Sequence, residues 1–418
     1  MHMAQQSGPI GPPASQEWRT HWLLILSALV AFGSASVYSF ALGLFIAPLQ
    51  AEFGWSRGAI SGGMLLSATL TAIGAPFVGR LIDIYGSRKI GLPGMMIYCF
   101  AVAMLGTTSG WIWNWWALWL LIATGSVFVK PTVWVAAVSR TFVTSRGLAI
   151  AVTMTGGGIT AAVTPTVTTL LIDTLGWRGA YFALGAGLAL INLPLLFLFF
   201  GSRDAKDASV AAPAAATGFD VRPSMRSRRY IQLGLIAFLI TAAVIGTQVH
   251  FVPILTSFGV TRLEAAAAAG LLGIGSIIGR LGTGYFLDRF PGPLVGMLAF
   301  FLPITASTLL LLANGANMLV IGGIAAFIYG SALGAELDIL AYLAGRYFGL
   351  KNYGTLFGTL VALVALAAGA GPTAAGLLYD WTGDYRAFLY VTMALFSLGI
   401  IAVGTLGRYP DNFEAEAP

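Results

Sequence analysis

The sequence predicts an all-α membrane protein with twelve transmembrane helices in two pseudo-symmetric six-helix bundles. Three observations predict it. Composition comes first: of 418 residues, 57% are hydrophobic and 9% charged, and mean hydropathy is +0.84. Soluble domains carry about 25% charged residues. Second, twelve apolar runs are long enough to cross a hydrocarbon core of about 30 Å: 20–48, 57–80, 90–108, 112–140, 146–172 and 178–200, then 229–255, 262–286, 293–313, 317–346, 353–378 and 385–407. Third, the two sets of six repeat one another.

The repeat holds a nearly constant register. Phe53-Gly54-Trp55-Ser56-Arg57 recurs as Phe258-Gly259-Val260-Thr261-Arg262, and Pro48 as Pro253, at a shift of 205. Gly79-Arg80-Leu81-Ile82-Asp83 recurs as Gly284-Tyr285-Phe286-Leu287-Asp288 at the same shift. Arg140 and Phe142 recur as Arg346 and Phe348, and Pro165, Asp173, Gly176 and Ala180 as Pro372, Asp380, Gly383 and Ala387. An even number of helices per unit makes the repeat parallel, with its axis along the membrane normal and a substrate site between the halves near the midplane.

The chain divides into a cytosolic lead-in (1–19), an N-terminal bundle (20–200), a linker (201–228), a C-terminal bundle (229–407) and a tail (408–418). The lead-in lacks the charged-then-apolar pattern of a cleaved signal peptide and reads as disordered. The linker is charged and rich in Ala, Pro and Ser, as flexible connections are. With both termini cytosolic, sixteen Lys and Arg fall on inner segments, and only Arg57, Arg178, Arg262 and Arg386 on outer ones. That asymmetry sets the expected orientation. The expected location is a cell membrane, the inner one in a bacterium, with the lipid bilayer as partner. The net charge of +6 is spread over short loops, which excludes a nucleic-acid surface. The single cysteine, Cys99, gives no disulfide framework, and three scattered histidines give no metal site. No cofactor is expected, and nothing demands an oligomer.

Two basic residues, Lys130 and Arg280, remain inside the membrane. Arg280 precedes Asp288 by eight residues, about 12 Å of helix at ~1.5 Å per residue. A charge so deep costs at least ~2.5–3.5 kcal/mol unless paired, and is a functional candidate by default. Lys130 on span 4 and Glu336 on span 10 are repeat equivalents, each about 15 Å from the inner surface. Asp338 follows, pointing about 200° away from Glu336 at ~100° per residue. Only one of these acids is expected to face a central cavity. Arg280 would offer a planar fork to a carboxylate, Lys130 a second positive charge, and Glu336 or Asp338 a proton site. The bland alternative is a buried structural pair.

The stretch GRLIDIYGSRK, Gly79–Lys89, resembles the signature of the major facilitator superfamily between helices 2 and 3, and GYFLDRFP, Gly284–Pro291, resembles its weaker second copy. The resemblance covers essentially the whole chain. It implies that Asp83, Arg88 and Asp288 act as conformational latches. GRLGTGYFLDR around Arg280 is similar to the monocarboxylate transporter family and the oxalate/formate antiporter group, and the junction Ser145-Arg146-Gly147-Leu148-Ala149 suits the same branch. The resemblance implies that Arg280 binds a substrate carboxylate. The chain departs from the pattern where Leu281 follows Arg280 in place of Pro. Ser276 replaces an acid one turn earlier, and span 1 offers Tyr38 and Phe40 but no lysine. Span 11 has no lysine beyond Lys351 at its mouth.

Tyr38, Trp134, Met154, Tyr329 and Tyr342 are further candidates to line the cavity. His250, expected near the outer end of span 7, is a candidate pH-sensitive gate, since histidine titrates near neutrality; an interfacial contact is the plainer role. Gly156-Gly157-Gly158 and Pro165 on span 5, and GAGPTAAG on span 11, suit close helix packing. The glycine triplet is no phosphate loop, because no GxxxxGK[ST] exists. Trp111, Trp113, Trp115, Trp116 and Trp119 read as an interfacial belt. The expected function is secondary transport of a small organic anion, a monocarboxylate in the first reading, coupled to protons by alternating access. Anion exchange and efflux of amphipathic or acidic compounds are the alternatives; no catalytic constellation suggests an enzyme.

Overall fold

A computed structural model describes residues 14–142, 144–200, 217–313 and 315–410, without side-chain detail at Ala14, Pro76, Asp83 and Ala316. The first half contains α1 (Ala14–Ser34), α2 (Val37–Phe53), α3 (Arg57–Tyr85), α4 (Ser87–Met104), α5 (Ile112–Val127), α6 (Pro131–Thr141) and α7 (Arg146–Phe199). The second contains α8 (Val221–Arg226), α9 (Arg228–Ser257), α10 (Arg262–Leu287), α11 (Gly292–Leu312), α12 (Met318–Phe348), α13 (Tyr353–Thr382) and α14 (Arg386–Gly404). Among the described residues, eleven segments are long and apolar enough to cross a membrane. One of them, α7, has 54 residues and turns at Gly176, whose φ of 69° only glycine adopts freely. It therefore crosses twice, and the chain is a twelve-span, two-bundle, multi-pass membrane protein.

Two spans are broken. Span 1 is interrupted between α1 and α2, and span 4 between α5 and α6. The second break has a local cause: Lys130 precedes Pro131 and is held extended (φ −66°, ψ 160°), because proline disfavours the helical region for its predecessor. Pro131 then occupies the first turn of α6, where its missing N–H costs nothing. Helix α1 starts at Ala14, inside the segment expected to be disordered. Its Glu17 is buried and accepts from the Thr144 and Ser145 amides at 2.9 and 3.0 Å, satisfying orphan N–H groups where α7 begins.

The linker's described part is docked. Leu350 N–H donates to Thr217 O at 2.8 Å, Phe219 N–H to Phe348 O at 3.0 Å, and Lys351 Nζ contacts Asp220 Oδ1 at 3.0 Å. This part of the linker is thus pinned beside the α12–α13 turn. The tryptophan belt divides. Trp111 and Trp113 face outward, whereas Trp115 and Trp119 are buried, and Trp115 and Trp116 donate to the Ile60 and Ala59 carbonyls at 3.0 Å.

Two faces can be named: a terminal face, where α1 begins and α14 ends, and a far face opposite. The halves meet across the far side of the molecule. Arg57 and Gly58 amides donate to the Asp380 carboxylate at 2.9 and 2.8 Å, and Arg262 pairs with Asp173 at 3.2 Å. Gln248 Nε2 donates to Ser39 Oγ at 2.9 Å. Deeper, Gly158 of α7 packs on the backbone of Gly273 of α10, and Gly369 of α13 on that of Leu65. Every described hydrogen bond between the halves lies between the far face and the level of Arg280. Among the described residues, the hydrogen bonds that join the halves are thus gathered on the far side.

Candidate substrate site

Arg280 and Asp338 meet because α10 and α12 touch backbone to backbone. Gly275 and Gly279 on α10 face Gly330 and Gly334 on α12. A Cβ at Gly275 would lie 2.2 Å from Phe327 O, and one at Gly279 2.2 Å from Ser331 O. In return, a Cβ at Gly330 would lie 2.1 Å from Leu272 O, and one at Gly334 2.0 Å from Ser276 O. Each pair is a GxxxG motif, the spacing that lets membrane helices approach this closely. On α12, Gly330, Gly334 and Asp338 follow at four-residue steps and share one face. That face looks at α10, so Asp338 emerges just where the contact reaches Arg280.

Arg280 Nη1 lies 3.1 Å from Asp338 Oδ1, and the side chains retain 25% and 31% of their exposure. Both side chains are therefore half-buried. The same Nη1 is 4.0 Å from Met154 Sδ on α7, so the opposite half reaches the guanidinium too. Gly334→Leu is expected to push α10 and α12 apart at this level. Its uptake should fall at least tenfold with protein yield and monodispersity retained, read in reconstituted vesicles and by size-exclusion chromatography. Gly282→Ala, where a Cβ meets nothing within 4 Å, is expected to leave uptake unchanged.

Glu336 takes the other direction. It is 8% exposed, sits toward Thr241 of α9 and lines a small apolar cavity with Ile240, Phe300 and Leu340. Its Oε2 has no hydrogen-bond partner among the described residues. The two acids thus separate as their angular spacing predicts: Asp338 meets Arg280, and Glu336 lies inside the second bundle. Lys130 is half-buried at the α5–α6 break and makes no ion pair among the described residues.

The remaining candidates scatter. Trp134 is fully buried, edge-on to Phe200, and donates to the Val129 carbonyl at 2.9 Å, so it braces the break rather than reaching Arg280. Tyr329 is buried within the second bundle, its hydroxyl on Ser307. Tyr342 lies at the terminal face against Gly292, and Tyr38 is half-buried against Tyr98 and Trp119. Arg88 donates to Phe197 O at 2.6 Å, and Asp288 is exposed without an ion pair among the described residues. The side chain of Asp83 lies outside the described residues. His250 is no interfacial residue. It is fully buried seven residues before α9 ends, and binds groups of both halves.

A family model described as Major Facilitator Superfamily matches residues 23–349. The chain belongs to the Major Facilitator Superfamily. Within it the curated relatives include monocarboxylate transporter 13 of Rattus norvegicus, 24% identical over 95% of this chain and 94% of the relative. Monocarboxylate transporter 11 of Homo sapiens is 26% identical over 95% and 84%. A gallate transporter of Pseudomonas putida is 27% identical over 86% and 88%. Among solved structures, a mutant of the nucleoside transporter NupG superposes with a TM-score of 0.75 at 11% identity, covering 92% of this chain and all of that one. A bacterial homologue of the human lysosomal transporter Spinster, in an inward-facing and unoccupied conformation, gives 0.62 at 16% identity. These likenesses support the fold; the chain is a transporter of this superfamily and not an enzyme.

Proposed function

We propose that this protein is a proton-coupled symporter of small organic monocarboxylates, with Arg280 as the anion-binding group and Asp338 as its exchangeable partner. One observation carries the reading: a half-buried Arg–Asp pair deep in the second bundle, with Met154 of the first bundle 4.0 Å from the same guanidinium nitrogen. The monocarboxylate and gallate transporters among the relatives support a carboxylate substrate.

Charge accounting gives the cycle. In the empty carrier Arg280 and Asp338 neutralise each other. An incoming carboxylate competes for the guanidinium fork, and the displaced Asp338 binds a proton. The loaded site is again neutral, so empty and fully loaded carriers can both reorient. A carrier holding the anion without the proton would carry an uncompensated charge through a low-dielectric interior, at a cost of several kcal/mol. That penalty suppresses the leak and couples the two fluxes. Lys130, the N-cap of α6 at the break of span 4, lies outside this pair and would draw the anion toward the first bundle, aided by the positive end of the helix.

The test uses purified protein in vesicles loaded with a pH-sensitive dye and challenged with carboxylates, including lactate, pyruvate, benzoate and gallate. Internal acidification that follows the carboxylate and saturates supports symport. Uptake that requires a counter-anion inside and moves no protons would replace it with exchange.

A further inference from the structure

Beneath the far-face contacts lies a second polar group, separate from Arg280. Arg57 of α3 crosses to the second bundle. Its guanidinium stands 3.5 Å above the Tyr379 ring, Nη1 donates to Tyr385 Oη at 2.9 Å, and Nε donates to Gln50 Oε1 at 2.9 Å. Tyr385 Oη is also 2.7 Å from His250 Nδ1. His250 Nε2 is 2.9 Å from the Pro372 carbonyl and 3.3 Å from Ser61 Oγ. Ring, tyrosine and arginine form one chain of hydrogen bonds across the interface of the two bundles.

The direction of every bond in that chain is fixed. A carbonyl only accepts, so Nε2 carries the hydrogen. Nδ1 then accepts in the neutral ring, and Tyr385 donates to it. Tyr385 Oη in turn accepts from Arg57, which has only donors. The chain closes with each group satisfied. An imidazolium would break it, because Nδ1–H and Arg57 Nη1–H would both point at Tyr385 Oη. The tyrosine hydrogen would lose its acceptor, and two cations would share one oxygen. The other charged or titratable groups here are Asp380 and Tyr379 of α13. Asp380 is committed to the backbone amides of Arg57 and Gly58. Among the described residues, no hydrogen bond or ion pair reaches the ring from α2, α10 or α12.

We propose that His250 is a proton-binding site of the far-face seal that fills only when the seal is open. Opening separates α3 from α13 and α14, removes Arg57 from Tyr385 and admits water to the ring. Protonation then stabilises the open form, because reclosing requires the proton to leave. With an ordinary histidine value of about 6.5 in water, the open-to-closed ratio should rise about tenfold between pH 7.5 and pH 5.5. The site is independent of substrate chemistry at Arg280.

The test is a distance measurement without substrate. Nitroxide labels are placed at Thr174→Cys and Leu263→Cys in a Cys99→Ser background, on exposed positions flanking the Arg262–Asp173 contact, and read by double electron–electron resonance. The long-distance population is expected to gain about tenfold over the short one from pH 7.5 to 5.5. His250→Gln keeps a neutral donor and acceptor at the ring's place and should abolish the gain. A gain that survives in His250→Gln, or is absent from the parent, overturns the proposal. If His250→Gln does not fold, Tyr385→Phe decides. Without the shared oxygen the pH response should shrink to less than threefold, and an unchanged tenfold response would refute the idea.

Discussion

Asp338→Asn is expected to turn the transporter into an obligate exchanger. The amide cannot bind or release the coupling proton, and Arg280 is left without its counter-ion in the empty carrier. An empty site then carries an unpaired guanidinium at mid-membrane, and its reorientation is opposed by several kcal/mol, a factor of about 10² or more. A site holding a carboxylate is neutral and still moves. Net proton-driven uptake into empty vesicles should therefore fall about 100-fold or more. Counterflow of labelled against unlabelled substrate should stay within a few-fold of the parent and become indifferent to pH. Equal loss of both modes would mean that Asp338 holds structure, and the carboxylate–proton coupling would have to be sought elsewhere.

The second large effect is at Arg280 itself. Arg280→Lys keeps the charge, so the ion pair with Asp338 can form and the bundle should fold. It removes the planar fork that fits a carboxylate with two parallel bonds. Charge-assisted hydrogen bonds contribute about 1.5–3 kcal/mol each. Loss of one should therefore lower kcat/KM for uptake by roughly 10- to 150-fold, mostly through KM. Thermal stability without substrate should change little, and stabilisation by added carboxylate should disappear. The double substitution Arg280→Gln with Asp338→Asn removes both charges together. It should restore any stability lost in the single variants without restoring transport. Retained uptake in Arg280→Lys would argue that a point charge suffices, and bidentate recognition would be abandoned.

Both effects trace to a contact that was partly readable in the chain. Arg280, Lys130, Glu336 and Asp338 stand out because charges in apolar spans are rare, and residue counting put them at one depth. The angular argument correctly separated the two acids but could not say which faced Arg280. The deciding signal was present and smaller: Gly330, Gly334 and Asp338 fall on one face of α12, and Gly275 and Gly279 on α10 supply the matching half. Glycine pairs in a sequence with 53 glycines are common, and only the packed helices show which of them meet. Trp134 and Tyr329 failed to join the site for a related reason. An aromatic residue near a charge in sequence depth satisfies its polar atom wherever a partner lies, and for both residues that partner was internal to its own half.

The sequence by itself determined the twelve spans, the parallel repeat and the isolation of a few charges at mid-membrane. Each follows from local chemistry: apolar length and the scarcity of charge in lipid. The break at Lys130 and Pro131, inside a span read as continuous, came only with the structure. Only the tertiary structure decided that Asp338 is the partner of Arg280 and that Glu336 turns inward on α9. It alone brought His250, Tyr385 and Arg57 into one hydrogen-bonded chain from helices more than a hundred residues apart. Those assignments depend on how helices are rotated and which small residues let them touch. A sum of many contacts sets that geometry, and no single stretch of the chain contains it.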